Sequence, residues 1–127
     1  MRYLGVDYGT KRVGVAISDE TNSLAFPVET LSNDKDLVQK VIALIQEHTI
    51  SHLVVGESKN LSGKENVIMK DIKIFVEEIK KESNCEIFFE PEFWSTVEAT
   101  RYQKEGRLTD ASAAAVILGS YLDKHKE

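Results

Sequence analysis

The stretch Tyr3-Leu4-Gly5-Val6-Asp7-Tyr8-Gly9-Thr10-Lys11-Arg12-Val13-Gly14-Val15-Ala16-Ile17 decides how the rest of the chain is read. Leu4 and Val6 alternate with Tyr3 and Gly5, the period of a strand with two distinct faces. Asp7-Tyr8-Gly9-Thr10 breaks the run with turn-forming residues, and a second strand follows at Val13 to Ile17. Leu24 to Leu31 reads as a third strand, which Pro27 assigns to an edge or irregular position. Three strands on short connections predict an antiparallel meander.

The periodicity then changes. Leu37, Val38, Val41, Ile42, Leu44 and Ile45 recur at helical spacing, with Asn33 or Asp34 available as a cap. His52 to Val55 is a short apolar strand ending at Gly56. Ile68, Ile72, Phe75, Val76 and Ile79 form the stripe of an amphipathic helix. Glu86 to Phe89 is a further strand, stopped by Pro91. Ser95-Thr96-Val97-Glu98 has the form of a capping box and opens a helix that Gly106 should end. A last helix runs from Thr109 or Asp110 to about Leu122. The order β-β-β-α-β-α-β-α-α predicts an α/β domain, a mixed five-stranded sheet flanked by helices. No repeat or linker divides residues 1–127, so a single domain is expected.

Composition bounds the function classes. With 127 residues, 42% hydrophobic and 29% charged, the chain can bury a core without disulfides or a structural metal. Cys85 is the single cysteine and lacks the partners of a zinc site. No apolar run approaches a membrane span, and no secretory signal is visible, so a cytoplasmic protein with no membrane partner is expected. The net charge of −5 argues against a broad nucleic-acid surface but leaves room for a local basic patch beside an acidic metal site.

Such an acidic site is legible at the ends of elements. Ligands of open α/β sheets bind outside the carboxyl ends of parallel strands. Asp7 ends the first strand, Glu57 follows the fourth and Glu92 the fifth, while Asp110 starts the final helix. Carboxylates gathered on one edge repel unless a cation neutralises them, and an oxygen-only set suits Mg²⁺ or Mn²⁺. Two such ions about 4 Å apart can drive hydrolysis of a phosphodiester. Each residue also has a structural reading: Asp7 as an Asx-turn residue, Asp110 as a helix cap, Glu92 as a solvated loop acid. Glu57, Glu65 and Glu90 are weaker candidates. His48, His52 and His125 lack metal-ligand spacing, and Trp94 reads as a packing residue.

Asp7-Tyr8-Gly9-Thr10-Lys11-Arg12-Val13-Gly14-Val15-Ala16 resembles the YqgF (RuvX) family, whose members have an RNase H-like fold and are known as Holliday junction resolvases or pre-16S ribosomal RNA nucleases. The resemblance continues at Val54-Val55-Gly56, the polar loop Asn60-Leu61-Ser62-Gly63, Glu92, Ser95-Thr96-Val97-Glu98-Ala99 and Asp110-Ala111-Ser112-Ala113-Ala114-Ala115. These motifs span nearly the whole chain in the family's order. The resemblance implies that Asp7, Glu92 and Asp110 are the catalytic residues and hold a pair of Mg²⁺ or Mn²⁺ ions. It implies that Gly9, Thr10, Lys11 and Arg12 lie near the scissile phosphate. The partner it implies is nucleic acid, either precursor rRNA or branched DNA, with ribosomal particles as a further partner and a monomer or homodimer as the working unit.

Two segments depart from the family pattern. Gly56 is followed by Glu57-Ser58 in place of Leu-Pro, and Pro91-Glu92-Phe93 stands where Asp-Glu-Arg is common. The second change removes a planar, bidentate phosphate-binding group. It motivates a competing reading, a catalytically weak or inactive nucleic-acid-binding module of the same fold. The D-x-G-T motif is also similar to the phosphate loop of actin-like sugar kinases and ATPases, but those clamp their nucleotide between two such domains and this chain has length for one.

Overall fold

The computed structural model describes residues 2–58, 68–92 and 110–124. Five strands and three helices follow in the order β1 (Tyr3–Tyr8), β2 (Arg12–Ser18), β3 (Ala25–Ser32), α1 (Leu37–Glu47), β4 (His52–Ser58), α2 (Ile68–Glu82), β5 (Glu86–Glu92) and α3 (Asp110–Lys124). The strands form one sheet in the order β3-β2-β1-β4-β5. The β1–β2–β3 meander is antiparallel, as the short connections require, whereas β4 and β5 add in parallel to β1. The carboxyl ends of β1, β4 and β5 therefore share one edge. The helix expected from Ser95 to Gly106 lies outside the described residues, as do Glu65, Trp94 and His125.

Strand alternation divides the core into two layers. Leu4, Val6, Val13, Val15, Leu53 and Val55 pack against α1 and α2, whose buried stripes include Val41, Ile45, Ile72, Phe75 and Ile79. On the other face Ala16, Val54 and Phe88 meet Ala114, Leu118 and Tyr121 of α3. That second face is built for close approach. A Cβ on Gly5 would stand 2.7 Å from Leu118 Cβ and 3.0 Å from the Ala114 carbonyl oxygen, so only glycine lets α3 lie this near the sheet. The helix crosses obliquely. Its first turn reaches β3, where the Ala111 N–H donates to Thr30 Oγ1 at 3.2 Å. Its last turn reaches β5, where Ser120 Oγ and Lys124 Nζ donate to Glu90 Oε2 at 2.9 and 2.6 Å.

Three local expectations are corrected. β5 runs through Pro91 to Glu92 instead of stopping before it. As the sheet's outer strand β5 can carry a residue with no N–H. β4 likewise continues past Gly56 to Ser58, paired with Glu92. The residue at the start of α1 is Asp36, without a side-chain cap. Asp34 instead builds the turn before it, accepting from the Asp36 N–H at 2.9 Å, and Asn33 turns away from the helix altogether.

Candidate active site at the carboxyl edge of the sheet

Asp7 lies within β1 rather than in the turn that follows, opposite Gly14 of β2. Gly14 in turn is opposite Thr30 of β3. These three residues form one row across the sheet, and Thr30 is the residue that receives the first turn of α3. Asp7 follows Gly5 by two positions, so it shares the face on which α3 packs. The fold thus brings the start of α3, where Asp110 stands, to the β3 end of this row, against the sheet face that Asp7 shares. Gly14 between them presents no side chain. Asp7 is half-buried and engaged in a contact with its surroundings.

Glu92 is the last residue of β5 and pairs with Ser58, at the same carboxyl edge but two strands from β1. The side chains of Glu57, Glu92 and Asp110 lie outside the described set. Among the residues that are described, no three His, Cys, Asp or Glu side chains gather as a metal site. Glu90, two pairs before the end of β5, is 3% exposed. Its partners are Ser120 and Lys124, so it fastens the last turn of α3 to the sheet. The described histidines stay structural: His48 caps the end of α1, and His52 is stacked between Tyr3 and Phe88 at the opposite edge.

Gly9, Thr10 and Lys11 connect β1 to β2, and Thr10, Lys11 and Arg12 are exposed. A Cβ on Gly9 would come within 2.5 Å of the Arg12 carbonyl oxygen, so the tightness of this turn excludes any other residue without movement. The turn is held from outside by a residue the motif does not contain. Asn33 Nδ2 donates to the Gly9 carbonyl at 2.7 Å, and the Asn33 N–H donates to the Lys11 carbonyl at 2.9 Å. In the sequence Asn33 is one of two candidate caps, beside Asp34, because cap and turn residues are chemically alike. Only the pairing of Arg12 with Ser32, which sets Asn33 beside the turn, discloses the difference. A cavity of about 270 Å³, lined among others by Tyr8, Asn33, Leu37, Asp71 and Phe75, opens on the α1–α2 side, away from Asp7.

Comparison with known proteins shows the family and the fold. The family model RuvX, described as Holliday junction resolvase, matches residues 1–124. A protein of Dictyoglomus turgidum named "Putative pre-16S rRNA nuclease" is 36% identical over 133 residues, covering 97% of this chain and 94% of its own. A protein of the same name from Fusobacterium nucleatum is 35% identical over 136 residues, covering 98% of this chain and 99% of its own. Among solved structures, T. thermophilus RuvC in complex with a Holliday junction substrate matches with a TM-score of 0.65 at 12% identity, covering 98% of this chain and 94% of that one. The last likeness concerns the fold, which is the RNase H-like α/β fold expected from the sequence.

Proposed function

The chain belongs to the RuvX family of Holliday junction resolvases, and from that premise we propose that it is a divalent-metal-dependent endonuclease whose substrate is the precursor of 16S rRNA. One observation carries the reading furthest: the Asp7–Gly14–Thr30 row, with the start of α3 hydrogen-bonded to its end. It supports a shared role for Asp7 and Asp110, residues 103 positions apart in the chain, because it ties the start of α3 to the strand row that contains Asp7. The names of the relatives favour precursor rRNA as substrate, and branched DNA is the second substrate to be tried.

Asp7, Glu92 and Asp110 would hold the metal. The donor set fits, because carboxylate oxygens on the ends of β1, β5 and α3 are the ligands Mg²⁺ and Mn²⁺ prefer. Such ions, when bound, supply Lewis-acid activation of water and stabilise charge on the leaving oxygen. The chain's own contribution is placement. Thr10, Lys11 and Arg12 offer a hydroxyl and two cations to backbone phosphates at a turn that Gly9 keeps tight. Lys11 and Arg12 supply locally the positive charge that a chain of net charge −5 lacks. The same reading places the protein in the cytoplasm with assembling ribosomal particles. Among the described residues no helix is long and apolar enough to cross a membrane.

The test is cleavage of a labelled precursor-16S RNA by the purified protein with Mg²⁺, Mn²⁺ or EDTA. Cutting with either ion and none in EDTA is the expected result. Binding without cutting under all three conditions would replace the nuclease by the binding module that the Pro91 and Phe93 departures motivate.

A further inference from the structure

We propose that Asn33 is a positioning residue for the substrate turn: by holding the carbonyls of Gly9 and Lys11, it fixes the peptide that presents the Thr10 N–H, together with Lys11, to a backbone phosphate. The inference rests on the nuclease reading above and adds to it a residue outside the motif.

Two hydrogen bonds from one residue bracket a three-residue turn. The Asn33 N–H continues the β2–β3 ladder by one step to the Lys11 carbonyl at 2.9 Å, and the Asn33 carboxamide reaches past it to the Gly9 carbonyl at 2.7 Å. The side-chain donor is the less replaceable of the two, since no backbone group of β3 can reach Gly9 in its stead. Asn33 stands on the α1–α2 side of the turn, where it lines the cavity with Tyr8, Leu37 and Phe75. The Gly9 carbonyl is therefore drawn to that side. No peptide bond described is cis. In a planar trans peptide the following N–H points opposite to the carbonyl. The Thr10 N–H is thus directed away from Asn33. A backbone N–H held in a fixed direction beside a lysine is a recurrent device for binding phosphate oxygens. Freed from Asn33, the 9–10 peptide could rotate, and the donor and the exposed Lys11 side chain would lose their common aim.

The experiment measures binding of a labelled precursor-16S RNA fragment in EDTA, by anisotropy across a series of salt concentrations. Wild type, Asn33→Ala, Asn33→Leu, Lys11→Ala and the Asn33→Ala/Lys11→Ala double variant are compared. Asn33→Leu keeps the approximate size of the side chain and removes the donor without adding charge, so it reports even where the alanine variant folds poorly. Thermal unfolding is recorded for each. Both Asn33 variants are expected to bind about tenfold more weakly at low salt. Each should also lower the slope of log K against log salt by about 0.7 to 0.9, the share of one phosphate contact. The double variant should bind little worse than either single one, because one contact is lost only once. A fall in melting temperature with affinity and slope unchanged, while Lys11→Ala weakens binding, overturns the inference and leaves the nuclease reading intact. Wild type that neither binds nor cuts RNA or branched DNA overturns that reading and the inference with it.

Discussion

At the scale of single residues, the site depends on positions where an atom is absent as much as where one is present. Gly9 has a backbone oxygen 2.5 Å from where its Cβ would be, and a backbone atom cannot rotate aside as a side-chain tip can. Gly9→Ala is expected to open the turn, lowering stability by about 1–3 kcal/mol. Its RNA affinity should fall at least as far as that of Lys11→Ala. Urea denaturation and anisotropy measure the two effects. Cys85 illustrates the opposite case, a reactive group type in an inert setting. Burial pushes its thiol pKa up, the Ser83 hydroxyl offsets this in part, and Sγ lies 3.3 Å from the Ile50 carbonyl. The thiolate, which is the nucleophile, is then scarce at neutral pH and grows only as pH rises through the elevated value. Alkylation with iodoacetamide at pH 7 should be slower than for free cysteine and should accelerate steeply in alkali. Sequence alone separates neither case, because the approach of the Arg12 carbonyl to Gly9 depends on the geometry of the folded turn, and the burial of Cys85 on its place beside Ile50, 35 positions earlier.

At the scale of elements, α3 carries the proposed ligand Asp110, and its two anchors predict different behaviour. Gly5→Ala puts a methyl 2.7 Å from Leu118 Cβ and must lift the helix from β1. Overpacking of this kind costs about 1–3 kcal/mol, and cleavage should fall beyond that loss of fold because Asp110 moves with the helix. Denaturation and single-turnover cleavage, measured on the same preparation, separate the two losses. At the other end, Glu90 is buried while Lys124 remains in contact with water. Lys124→Met leaves a buried carboxylate with Ser120 as its one donor among the described residues and should cost about 3 kcal/mol, towards the low end for a broken buried pair. Glu90→Gln leaves its lysine solvated and should cost about 1 kcal/mol. Equal losses in chemical denaturation would contradict the asymmetry. The alternation of β1 and the stripe of α2 were legible because burial on one face leaves a period in the sequence. The extension of β5 through Pro91 was not, since the tolerance of a proline depends on the strand being outermost, a property of the whole sheet. The oblique path of α3 was equally hidden. Its alanine-rich run announces a helix but not that Gly5 and Ala16, far back in the chain, leave the groove it occupies.

At the scale of the whole molecule, an acidic chain is set to act on a polyanion, and local charge must overcome the overall field. Lys11 and Arg12 sit at the carboxyl edge, while the net charge of −5 repels nucleic acid at a distance. Removing both cations should weaken RNA binding about a hundredfold at low salt and much less at 0.5 M, where phosphate contacts are screened. Asp7 and its row across the sheet stand at the centre of the account. That convergence was half legible: parallel strands ending in acids pointed to one edge, but the register that sets Asp7 level with Thr30 and the start of α3 exists only in the folded sheet. The most direct test compares wild type with Asp7→Asn on labelled precursor-16S RNA and on branched DNA, in Mg²⁺ or Mn²⁺. The wild type is expected to cut precursor RNA, and a variant that melts within a few degrees of it is expected not to. Cleavage that survives in Asp7→Asn would contradict it.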